Sequence, residues 1–123
     1  MVNVEAIKKR LEAKYALRKA LLSKKRRDII VLLENRLVEI MDQFPSVEFI
    51  FIFGSIANQI FFNELSDIDI AVKGLDNRDE LKFSIYLENI LRTEKIDLIM
   101  MEYADKDLIE NIKNGILVYE KKN

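Results

Sequence analysis

The first 44 residues contain neither glycine nor proline, a feature that strongly favours helix over this part of the chain. Apolar residues recur there at three- and four-residue steps, which line one face of a helix. They are Ile30, Leu33, Leu37, Ile40, Met41 and Phe44. Pro45 ends the pattern, because proline disfavours helical geometry in the residue before it. We therefore predict a helical N-terminal segment that is either one helix or two helices divided near Ser23.

After Pro45, short apolar runs typical of strands appear. Residues 47–53 are almost wholly β-branched or aromatic, which predicts a strand buried on both faces. Residues 67–72 and 95–101 predict a second and a third strand, and residues 116–119 predict a short fourth one.

Two further segments have an amphipathic helical pattern. The first covers residues 77–92, with Asp76 or Asn77 as its N-cap, and the second covers residues 105–114, with Gly115 as its C-cap. The order is helical segment, strand, strand, helix, strand, helix, strand. This order predicts a mixed α/β sheet with a helical layer.

The length of 123 residues suits a single domain. We expect a helical segment at 1–44 and a core at 45–123. No apolar run approaches the roughly 18 residues of a membrane span, so we expect a cytoplasmic protein without membrane contact. The chain has no cysteine and no histidine, which excludes disulfides, thiolate zinc sites and imidazole bases. Any catalysis must use carboxylates, hydroxyls, lysines or a bound metal.

Charge is distributed unevenly along the chain. Residues 1–44 carry a net charge of +5 and residues 45–123 a net charge of −6. The run from Lys24 to Arg27 could contact nucleic acid or an acidic partner. A solvated helix face also explains the run, and we favour this interpretation because helices commonly carry charge on the side away from the core.

Three aspartates lie within predicted strands. Asp67 and Asp69 would stand on one strand face about 6–7 Å apart, where their like charges repel and burial without a counter-ion is costly. Asp97 lies in a strand that could pair beside theirs. Oxygen ligands suit Mg²⁺, and three carboxylates can hold two such ions. Because the chain has no histidine, Asp97 is also the best candidate for a catalytic base. The alternative is that these aspartates form only the solvated face of a sheet.

Gly54 and Ser55 directly follow the first predicted strand. A sharp turn there would present backbone N–H groups and a hydroxyl to a phosphate. Alternatively, Gly54 merely ends the strand and Ser55 caps a helix. Glycine occurs only at positions 54, 74 and 115, so neither a GxxxxGK[ST] nor a GxGxxG motif is present.

Together, Phe51-Ile-Phe-Gly-Ser55 and, after eleven further residues, Asp67-Ile-Asp-Ile-Ala-Val72 resemble the signature of the polymerase-β-type nucleotidyltransferase superfamily. The resemblance covers residues 47–101 and is closest to the minimal nucleotidyltransferases. It implies a polymerase-β-type core carrying an additional N-terminal helical segment.

The resemblance also implies a role for each candidate site residue. Gly54 and Ser55 would bind the phosphates of the nucleotide, ATP. Asp67 and Asp69 would bind Mg²⁺, with two ions possible. Asp97 would complete the metal site and help to deprotonate the acceptor hydroxyl.

The chain departs from the family after Gly-Ser, where the family usually has a basic, glycine-containing segment and this chain has residues 56–62. The run Ile60-Phe61-Phe62 within it is either part of the core or a partner-binding patch.

Minimal nucleotidyltransferases often resemble the antitoxin of a pair whose toxin is a HEPN-type helical ribonuclease. By this resemblance the chain would transfer AMP from ATP to a tyrosine of the toxin. The chain offers no second domain to bind an acceptor, which favours a protein partner. Two alternatives are a binding module that neutralises its partner by contact and a free-standing adenylyltransferase of small hydroxyl compounds. A homo-oligomer is compatible with each of these three functions.

Overall fold

The computed structural model of the protein describes residues 1–58 and 61–122. The predicted order of elements is confirmed. The helices and strands are α1 (Val4–Ile40), β1 (Phe49–Phe53), β2 (Ile68–Lys73), α2 (Glu80–Ile90), β3 (Ile96–Met100), α3 (Lys106–Lys113) and β4 (Ile116–Glu120). Single 3₁₀ turns follow α1, β1 and β3 and precede α2, at Met41–Gln43, Gly54–Ala57, Met101–Tyr103 and Asn77–Asp79.

The N-terminal segment is one helix of 37 residues, so no division occurs near Ser23. Asn3 begins it by accepting a hydrogen bond from the Ala6 backbone N–H at 3.1 Å. The first 21 residues of the chain are exposed, and burial of α1 begins further along. Its buried residues are Ile29, Leu33, Leu37 and Ile40. The second half of α1 therefore packs on the core while the first half projects.

The four strands form one mixed sheet in the order β3-β2-β1-β4. β1 pairs antiparallel with both β2 and β4, whereas β2 and β3 run parallel. The mixed α/β class is therefore confirmed. None of the described helices has the length and apolarity needed to cross a membrane.

Helices cover both faces of the sheet. On one face, residues of α1 and α2 pack on alternate strand residues, and the fully buried members of that core include Leu33, Leu37, Ile50, Ile52, Ile68, Ile70, Phe83 and Leu87. On the other face, α3 contributes Ile112 to a smaller cluster with Phe53, Ala71 and Met101. Because side chains alternate along a strand, Asp69 lies on the same face as Ala71.

Four details of the sequence prediction were wrong. β1 begins at Phe49, and its residues Phe49 and Phe51 are only half-buried, because α3 is short and covers that face partly. Asp67 lies just before β2 rather than within it. Asn114 ends α3, and Gly115 follows with an ordinary φ. A Cβ at Gly115 would collide with the Ile52 carbonyl oxygen, so the glycine serves close approach to β1.

Candidate active site

The Gly54 turn is built against a carboxylate. β1 ends at Phe53, which pairs with Asp69 of β2, and Gly54 then takes a φ of +71°. A Cβ at Gly54 would overlap Oδ2 of Asp69. Glycine is therefore required here both for the left-handed backbone and for the approach of the carboxylate. The 3₁₀ turn that carries Ser55 follows directly.

Asp69 and Asp97 stand side by side on neighbouring strands. They are register partners in the parallel pair of β2 and β3, whose strands lie about 4.8 Å apart. Asp67 precedes Asp69 by two residues, and both Asp67 and Asp97 are exposed, whereas Asp69 is half-buried. The structure thus brings together three aspartates that are separated by up to thirty positions in the sequence.

Electrostatics couple the three groups. Burial raises the pKa of the Asp69 carboxyl above its ordinary value, and the neighbouring charges of Asp97 and then Asp67 raise this pKa further. A cation near Asp69 would have the opposite effect on its pKa, since it stabilises the ionised carboxylates.

The donor chemistry at the three aspartates suits Mg²⁺, which takes oxygen ligands. Within residues 1–58 and 61–122, no three acidic side chains lie close enough together to form a metal site by themselves. Mg²⁺ needs no such preformed cage, because one or two carboxylates together with waters and substrate phosphates complete its octahedron. Asp67 and Asp69 with a nucleotide therefore fit the ion.

A cleft of about 710 Å³ lies beside the Gly54 turn. Residues of α1, of the turn and of the end of α3 surround it, namely Arg26, Gly54, Ser55, Ala57, Asn58, Phe61, Asn111, Asn114 and Gly115. None of these described lining residues is acidic, and most offer hydrogen-bond donors. The three aspartates do not line the cleft. Gly54 connects the two parts of the site, because it lines the cleft and also lies against Asp69. The arrangement suits an anion that binds at the Gly54 turn, next to Asp69.

Several residues of this cleft are not indicated by any sequence pattern described above. Arg26 lies in the basic run that we interpreted as a solvated face, yet its side chain contacts the turn after β1. Asn111 and Asn114 lie beyond the predicted third strand, and asparagines near a helix end carry no distinguishing pattern. The basic run itself was the one signal that could have indicated Arg26.

The structure decides between the two interpretations of the run at residues 60–62 for its two phenylalanines. Ile60 lies outside the described residues. Phe62 is buried in the core with α1, whereas Phe61 is 67% exposed at the edge of the cleft. The core interpretation is therefore confirmed for Phe62 and wrong for Phe61.

A larger cavity of about 840 Å³ lies between α1 and the segment after α2. None of the five predicted site residues lines it. Charged side chains of both signs surround it, including Lys24, Lys25, Arg36, Asp28 and Glu94. Its size alone does not connect it with the aspartates, and we place the candidate active site at the Gly54 turn.

The chain is similar to solved structures of antitoxin complexes. A structure described as a toxin–antitoxin with AMP-PNP shares 28% identity at a TM-score of 0.57, over 72% of this chain and 74% of that chain. A structure of tri-AMPylated Shewanella oneidensis HEPN toxin in complex with MNT antitoxin shares 26% sequence identity at a TM-score of 0.55. The match covers 75% of this chain and 73% of that chain. A structure of the toxin–antitoxin MntA–HepT shares 26% sequence identity at a TM-score of 0.52. The match covers 73% of this chain and 72% of that chain.

No curated protein matches the chain. The family model described as polymerase beta, nucleotidyltransferase matches residues 35–123. This segment contains the whole sheet, the Gly54 turn and all three aspartates, whereas Arg26 and the projecting half of α1 precede it. The chain belongs to the polymerase-β nucleotidyltransferase family and is a nucleotidyltransferase.

Proposed function

We propose that this chain transfers AMP from ATP, with Mg²⁺, to a tyrosine of a HEPN-type toxin and thereby acts as its antitoxin. The observation that carries the proposal is the close approach of Gly54 to Asp69, which sets the turn after β1 directly against a carboxylate. Similar structures include a complex with AMP-PNP and one with an AMPylated HEPN toxin, which supports both the nucleotide and the acceptor.

Each site residue has a distinct part in this proposal. Gly54 and Ser55 bind the phosphates through backbone N–H groups and the serine hydroxyl. Asp67 and Asp69 hold Mg²⁺, which neutralises charge on the phosphates and the carboxylates when bound.

Asp97 acts on the acceptor. Its carboxylate is exposed, so a hydroxyl on a second protein can reach it. Asp97 takes the proton of the tyrosine hydroxyl as the phenolic oxygen forms a bond with the α-phosphorus of ATP. The bond from that phosphorus to the bridging oxygen breaks, and pyrophosphate leaves with the electron pair. The products are AMP-tyrosine and pyrophosphate.

The test is transfer of label from α-labelled ATP to a purified HEPN-type toxin in the presence of Mg²⁺. We expect a covalent AMP mark on the toxin with the wild-type chain and none with Asp69→Asn, because the amide cannot replace the charged metal ligand. Asp42→Asn, an exposed acid distant from the site in sequence and fold, should label at the wild-type rate. Full labelling by Asp69→Asn would refute the proposal.

One observation favours a second function, neutralisation by contact. The projecting half of α1 exposes apolar side chains beside its basic ones, including Val4, Ile7, Leu11, Tyr15, Leu17 and Leu21. Such a surface is typical of a partner contact. If contact alone neutralises the toxin, Asp69→Asn will protect cells from the toxin as well as the wild-type chain does, although it leaves no AMP mark.

A further inference from the structure

One cationic side chain, Arg26, is found among the described residues that line the cleft beside the Gly54 turn. It comes from α1, whereas the turn belongs to the sheet. Residues 56–66, which follow Gly54-Ser55, contain no lysine or arginine. Any positive charge offered to an anion in this cleft must therefore come from another part of the chain, and α1 supplies it.

The Arg26 guanidinium is fixed in place by the turn. Its Nε–H donates to the Ile56 carbonyl oxygen at 2.5 Å, and Nη2 donates to the Ala57 carbonyl oxygen at 3.4 Å. These two bonds use one edge of the planar group. Across residues 1–58 and 61–122, no carboxylate forms an ion pair with Arg26. Among the described residues, the half-buried cation is therefore not neutralised by a carboxylate, and the cleft that it lines gives a ligand access to its second edge of N–H donors.

From this geometry we infer that Arg26 binds the polyphosphate of the nucleotide and makes the cleft selective for a triphosphate over a monophosphate. The inference rests on the proposed nucleotidyl transfer. A guanidinium edge matches two phosphate oxygens, and prior fixation by backbone carbonyls lowers the entropy lost on binding. Arg26 lies outside residues 35–123, the part of the chain that the family model matches, and it reaches the cleft from α1.

The experiment measures binding of four ligands by titration calorimetry with Mg²⁺: ATP, AMP, adenosine and inorganic tripolyphosphate. The variants are Arg26→Gln and, as a matched control, Arg27→Gln, which removes the same charge from the next and exposed position of α1. Circular dichroism checks that both variants are folded.

We expect Arg26→Gln to weaken ATP and tripolyphosphate by on the order of 10- to 100-fold, the cost of a lost charged hydrogen bond, and to leave adenosine unchanged. Arg27→Gln should bind all ligands as the wild type does. If Arg26 merely supports the turn, Arg26→Gln will weaken ATP, AMP and adenosine by one common factor, which would overturn the inference. Equal affinities in Arg26→Gln and wild type would also overturn it.

Failure of the proposed function has a different signature. If the wild-type chain binds tripolyphosphate through Arg26 but neither ATP nor AMP, the anion site stands and nucleotidyl transfer does not. If the wild type binds none of the four ligands, both proposals are wrong.

Discussion

Asp69 and Asp97 are register partners on the parallel strands β2 and β3, and the charge of Asp97 raises the pKa of the Asp69 carboxyl. Asp97→Asn removes that charge while keeping the side chain's size. We therefore expect the pKa of Asp69 to fall towards its ordinary value, and we expect the rate of AMP transfer to fall by on the order of 10²- to 10⁴-fold, since the proposed base is lost. Carbon-detected NMR titration of metal-free protein and the labelling assay measure the two effects. A normal rate in this variant would remove Asp97 from the mechanism.

Stability of the metal-free protein should depend on pH through Asp69. Its folded pKa lies above the unfolded value, so near and above pH 3.8 the native state holds more protons than the unfolded chain. The stabilisation from the protonated carboxyl is present at low pH and is lost as the pH rises through the folded pKa. The Tm of Asp69→Asn relative to wild type should therefore increase between about pH 3 and pH 7.

Mg²⁺ provides the control for this pH dependence. It should raise the Tm of wild-type protein at pH 7 and have little effect on Asp69→Asn, since binding to the native state stabilises it. A Tm difference that stays constant across the pH range would contradict the assignment of the shifted pKa to Asp69.

Gly54→Ala should be costly in two ways. Alanine at a φ of +71° is strained by about 1–2 kcal/mol, and its Cβ would displace the Asp69 carboxylate. We expect a lower free energy of unfolding in chemical denaturation and a loss of AMP transfer. In the double variant Gly54→Ala/Asp69→Ala the overlap is absent. Its loss of unfolding free energy should therefore be smaller than the sum of the losses in the two single variants. Strict additivity would show that the contact with Asp69 carries no energy.

Lys25 pairs with a Glu94 side chain that is only 7% exposed, with 2.8 Å between Nζ and Oε1. Lys25→Met should therefore cost about 1–3 kcal/mol of unfolding free energy, because it leaves the Glu94 carboxylate desolvated and without a cation, with only the Thr93 hydroxyl donating to it at 3.4 Å. Lys24→Met is the matched control. Its partner Asp28 is 64% exposed, so this change should cost less than about 1 kcal/mol. Equal costs for the two variants in urea denaturation would show that burial of Glu94 is unimportant.

Much of the local structure follows from sequence pattern. The absence of glycine and proline before Pro45 predicted the N-terminal helix, and two-residue alternation predicted that Asp69 opposes the buried isoleucines of its strand. The missing histidines and cysteines limited the site to oxygen chemistry. The helix and the strand alternation could be predicted because they depend on residues close together in the chain, whose backbone preferences and periodicity are local properties. The limit on the chemistry follows from composition alone.

The tertiary structure alone decided which distant groups meet. Register between β2 and β3 places Asp97 beside Asp69, and no pattern within either strand encodes that register. Likewise, packing of α1 on the sheet carries Arg26 to the carbonyls of Ile56 and Ala57, although its own neighbours suggested a solvated charge. Such contacts depend on how all the side chains of the core pack together, and a short stretch of sequence does not determine that packing.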